Sequence, residues 1–104
     1  MRMAQFQEAL GNFQHAHDLN PNDASVLWWW AHCEVRMGEF DSARKHAYMA
    51  INLSSKRDPL LGHAYSALAT AAFLEGDGAT FEDWATRAIQ TTPGRPMKIG
   101  RAHV

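Results

Sequence analysis

Only one of the 104 residues is a cysteine, Cys33, so no disulfide can form within the chain and the fold has to rest on packing. A lone thiol between His32 and Glu34 reads as a small buried or half-buried side chain, since a reactive one needs an electropositive, exposed setting. No basic run disturbs the near balance of 10 Lys and Arg against 11 Asp and Glu, so the electrostatic footprint of a nucleic-acid binder is missing. The longest nearly uncharged stretch, residues 59–74, is broken by Gly62, His63, Ser66 and Thr70 and is too short and polar to span a membrane. The opening MRMAQFQEALGNFQ lacks the apolar core of a secretory signal, and a cytoplasmic address is the expectation. No segment keeps up the apolar–polar alternation of a half-buried strand.

Signs of chemistry are equally scarce. His15 and His17 stand two apart, about 200° around a helix, and cannot share a face. His32, His46 and His63 have no companion three or four residues away, HExxH and CxxC are absent, and the histidines read as solvent-facing or groove-lining. None of Ser25, Ser42, Ser54, Ser55 and Ser66 sits in a GxSxG elbow, and the glycines form no phosphate-cradling loop. Glu82-Asp83 reads as a pair of acids in a helix first turn, favoured by the positive end of the helix dipole. These absences predict a non-catalytic chain with no cofactor and no metal.

What is present is a repeat. Ala9, Phe13, Ala16, Leu19 and Pro21 are matched by Ala43, Ala47, Ala50, Leu53 and Ser55, and again by Phe81, Ala85, Ala88, Thr91 and Pro93. Gly38 is matched by Gly76, Ala31 by Ala69 and Leu27 by Tyr65. The spacing predicts helices over residues 3–19, 24–37, 40–53, 59–75 and 79–92. Pro21-Asn22-Asp23 stops the first and caps the second, Gly38 and Gly76 take left-handed conformations, and Asp58-Pro59 supplies an N-cap acid with proline at the first helical position. The predicted class is all-α, with units at residues 1–21, 22–55 and 56–93; an ordinary helical bundle is the rival.

On these residues, positions 3–93 resemble the tetratricopeptide repeat. Ala9-x3-Phe13-x2-Ala16-x4-Pro21 follows the pattern of its second helix, while Leu27, Trp30-Ala31 and Glu34 stand where the family prefers Trp, Leu-Gly and Tyr. The resemblance implies an antiparallel helix-pair solenoid of about two and a half repeats, acting as a scaffold whose concave groove holds a peptide or partner helix. It places Ser25, Trp28, Trp29, His32 and Arg36 on the groove in one unit, and His63, Ser66, Ala67, Thr70 and Phe73 in the next. Relatives that grip acidic chaperone tails use a basic and asparagine clamp, which Trp28, Trp29, Ser66 and Ala67 do not reproduce. The partner is a protein, a peptide or another domain of a parent chain, with no nucleic acid and no membrane.

A second resemblance gives the alternative. LSSKRDPLLGHAYSALATAAFLEGD is similar to repeat regions at the C-terminal end of bacterial proteins with a class III nucleotide cyclase domain, implying a regulatory segment of a cyclase or transcription regulator, with the chemistry or DNA binding elsewhere. Residues 94–104 leave the repeat register, and 98–104, KIGRAHV, read as the translation of a sequencing adapter. The chain opens on the second helix of a unit, so the natural protein is expected to be longer at both ends. Trp28, Trp29 and Trp30 fan over about 200° of one helix. Trp30 is expected in the core beside Leu27 and Ala31; Trp28 and Trp29 either line the groove or pack on a missing helix.

Overall fold

Helix punctuation in this chain is local chemistry, and it sets the element boundaries. A computed structural model describes residues 3–91, which form five helices and no strand. They are α1 (Met3–Leu19), α2 (Ala24–Arg36), α3 (Phe40–Leu53), α4 (Leu61–Leu74) and α5 (Gly78–Gln90). None is long and apolar enough to cross a membrane. The expected adapter-like segment 98–104 lies outside the described residues.

Asp23 caps α2 as expected: its carboxylate accepts the Ser25 N–H at 3.0 Å and the Ser25 hydroxyl at 2.6 Å. These bonds hold its carboxyl below the usual aspartate pKa, the Ser25 side chain contributing most. Asp23→Ala therefore costs about 0.5–2 kcal/mol in urea unfolding at neutral pH. Because the folded-state pKa is the lower one, the cap stabilises above the ordinary carboxylate range and is lost as pH falls through it, so the Asp23→Ala deficit shrinks in acid.

Helices α2 and α4 end identically. Gly38 and Gly76 have φ of 81° and 82°. The Gly38 N–H donates to the Val35 carbonyl and Glu39 N–H to Glu34, as Gly76 N–H does to Phe73 and Asp77 N–H to Ala72. Both are paired 5→2 and 6→1 closures around a left-handed glycine. Two expectations shift. Helix α4 starts at Leu61, because Asp58 and Pro59 form a preceding turn in which the Asp58 carboxylate accepts the Leu60 N–H at 2.9 Å. Helix α5 starts at Gly78, capped by Asp77 through the Thr80 N–H, so Glu82-Asp83 fall in its second turn and the dipole account of them lapses.

Each helix packs on the next along the chain, and α2 also reaches α4; the α1 backbone approaches α2 alone. Alanines permit the close approach: Ala31, Val35, Ala43, Ala47, Ala67, Leu68 and Ala71 form one buried cluster across α2, α3 and α4. A second joins Leu27, Trp28, Trp30, Ala50 and Ala64, with Leu10 and Phe13 of α1 leaning on it. Gly62 brings α4 close to α5, where a Cβ would stand 2.6 Å from Thr91 Oγ1 and 3.3 Å from the Ala88 carbonyl oxygen.

Candidate functional site

The three tryptophans divide differently from the expected grouping. Trp28 and Trp30 are both buried, at 7% exposure, while Trp29 is 56% exposed. Trp28 stacks on the His63 ring at 4.2 Å between centroids and meets His32 edge-on at 6.3 Å. Trp30 lies in the core as expected, stacked on His46 at 3.8 Å and on Phe13 at 6.5 Å. One full turn of α2 is thus covered by α1 on one side and by α3 and α4 on the other. Trp29 falls in the gap.

That gap is a cleft of about 400 Å³. Phe6, Ala9 and Phe13 form its α1 wall, Trp28, Trp29, His32, Cys33 and Arg36 its α2 wall, and His63 closes it from α4. The structure therefore gathers Trp28, Trp29, His32, Arg36 and His63 from the sequence-derived groove, with Trp28 as a packed floor. It also recruits Phe6, Ala9, Phe13 and Cys33, which sequence reasoning did not place there. Phe6, Ala9 and Phe13 share one face of α1, but the helical period alone does not say which neighbour that face meets.

The remaining groove candidates lie elsewhere. Ser25 belongs to the Asp23 cap and lines a separate depression of mixed character, with Asn20, Asn22 and Asp58 beside Trp28, Leu53 and Leu60. Ser66 is half-buried, and its carbonyl accepts the hydroxyl of exposed Thr70 at 2.9 Å. Phe73 is 62% exposed, 5.4 Å from the Phe81 ring at the far end of α4. Ala67 is buried in the alanine cluster and faces no groove, because α4 turns that side toward α2 and α3.

Comparison with protein families, with curated proteins and with solved structures returns no match for this chain. The cleft has to be read from its own chemistry. His32 Nε2 lies 2.9 Å from the His63 carbonyl oxygen; a carbonyl only accepts, so Nε2 carries a proton. Burial lowers the His32 pKa, the positive charges of His63 and Arg36 push the same way, and the bond to the His63 carbonyl opposes them. Burial raises the Cys33 thiol pKa, which keeps it protonated at neutral pH and matches the half-buried, unreactive thiol expected from the sequence.

A pH dependence follows. With the folded-state pKa below the ordinary value of 6.5, the unfolded chain binds the proton more readily. The contribution of neutral His32 is complete above that value and is lost as pH falls through it. In urea unfolding at pH 7.5 and pH 5.5, wild type loses more stability on acidification than His32→Gln does. Parallel losses would show that His32 is not the responsible proton acceptor.

His46 departs from the solvent-facing or groove-lining reading. It is 8% exposed, and its Nδ1–H donates to Oε1 of Glu34, itself 5% exposed, at 2.6 Å. The two are twelve residues apart on α2 and α3, so no spacing within one helix reveals them. Among the described residues, no three His, Cys, Asp or Glu side chains converge on a point that could hold a metal ion.

Proposed function

We propose that this chain is a non-catalytic helical-repeat binding module of tetratricopeptide type, and that the cleft between α1 and α2 receives a peptide or helix from a protein partner. The repeat reading is supported by the identical glycine closures of α2 and α4 and by helices that pack mainly on their chain neighbours. The binding reading is carried by one observation: Trp29, the largest side chain type, stands 56% exposed on the rim of a cleft whose walls are mostly aromatic and apolar. Exposed aromatics beside a concave apolar surface are typical of interaction hot spots.

Trp29 is the residue to test, because Trp28 is part of the core and its loss would confound binding with unfolding. Peptides that bind the cleft shift the tryptophan emission of the folded chain to the blue. Trp29→Ala weakens them by at least about 30-fold, the loss of a hot-spot aromatic, and leaves the melting temperature within about 2–4 °C of wild type. Equal affinity for wild type and Trp29→Ala would remove the cleft as the binding surface.

A further inference from the structure

We infer that the occupant of the cleft is an amphipathic helix carrying a carboxylate, with its apolar face on Phe6, Phe13 and Trp29 and its acidic group at the Arg36 guanidinium; the inference rests on the binding reading above. Two observations specify it. The first is the shape and hydrogen-bonding character of the walls. Residues 6, 9 and 13 of α1 and residues 29, 32, 33 and 36 of α2 are single helical faces set side by side. Two such faces make a trough for a third helix.

An extended peptide would need main-chain partners along the walls, and these offer few. The wall backbones are committed to their own helices, and the His32 Nε2–H is already engaged by the His63 carbonyl. A helix satisfies its own backbone and asks only for apolar contact.

The second observation is charge. The lining contains Arg36, His32 and His63 and no Asp or Glu. Arg36 is exposed and forms no ion pair with a carboxylate among the described residues, whereas Arg44 is bound by Asp41 and Glu75 and Glu34 is taken by His46. An arginine at the rim of an apolar cleft, flanked by two imidazoles, complements an acid and repels a base.

A random 16-residue peptide library displayed on phage, selected on the full chain and counter-selected on Trp29→Ala, tests this. Enriched sequences are expected to place apolar residues at i, i+3 or i+4, and i+7 with Asp or Glu nearby, and to gain helical circular dichroism on binding. Arg36→Glu is expected to weaken them at least about tenfold, with Arg36→Lys recovering part of the loss. Enriched peptides that are neutral or basic, that bind without becoming helical, or that ignore Arg36→Glu overturn the acidic-helix inference and leave the binding reading intact. Failure to enrich anything that separates wild type from Trp29→Ala overturns both.

Discussion

His46→Ala destabilises the fold by about 2–5 kcal/mol, the cost of leaving a buried acceptor without its hydrogen-bond donor and of opening a void in the core. Glu34 and His46 are 5% and 8% exposed, the imidazole lies 3.8 Å from the Trp30 ring centre, and its Nδ1–H is the side-chain partner of the Glu34 carboxylate at 2.6 Å. Truncation leaves that carboxylate buried without its donor and opens a void against Trp30, two penalties that act together. Glu34→Gln keeps the shape and an acceptor oxygen, so its cost is smaller, about 1–3 kcal/mol.

The double variant Glu34→Met/His46→Leu recovers much of the loss, since an apolar pair of similar volume removes the need for either polar group. Urea unfolding followed by circular dichroism reads all three. A His46→Ala midpoint equal to wild type would mean that the pair contributes nothing to holding α2 against α3.

Leu27→Ala is the second large effect, about 2–5 kcal/mol. Leu27 is 0% exposed and the largest side chain of the described residues that is wholly enclosed; it lies between Trp28, Trp30, Ala50 and Ala64. The surrounding rings are held in stacks with His63, His46 and Phe13, so they cannot close around the void, and the cost should lie in the upper part of that range. A domain of this size has about 5–15 kcal/mol of stability in all, so Leu27→Ala lowers the melting temperature by at least about 10 °C. Trp29→Ala, two residues away and a larger truncation, is the internal control: it costs much less, because Trp29 is 56% exposed and its ring meets that of Trp28 at 4.9 Å between centroids without being enclosed. If the two variants melted together, the division of α2 into an enclosed and an open side would be wrong.

Sequence and structure agree where the causes are short-range. Pro21-Asn22-Asp23, Gly38 and Gly76 act through their own dihedral angles and immediate hydrogen bonds, and they set the boundaries of α1, α2 and α4 to within about a residue or two. The misplaced start of α4 has a local cause as well: the Asp58 side chain closes a turn on Leu60 before the helix begins. The cleft was half legible. Trp28, Trp29, His32 and Arg36 follow from the helical period of α2, and His63 from the repeat register, but the α1 wall does not. Phe13 serves the repeat pattern, the Trp30 stack and the cleft at once, and one residue name cannot reveal three neighbours.

By itself the sequence determined an all-helical chain, its turns, its spacing, and a cluster of aromatic side chains too broad for one neighbour to cover. Tertiary structure alone decided which tryptophan stays open. Successive residues differ by about 100° around α2, and the packing of α1, α3 and α4 selects which sectors are sealed. It also decided that Glu34 and His46 meet, because their contact crosses two helices and depends on how closely the alanines let those helices approach.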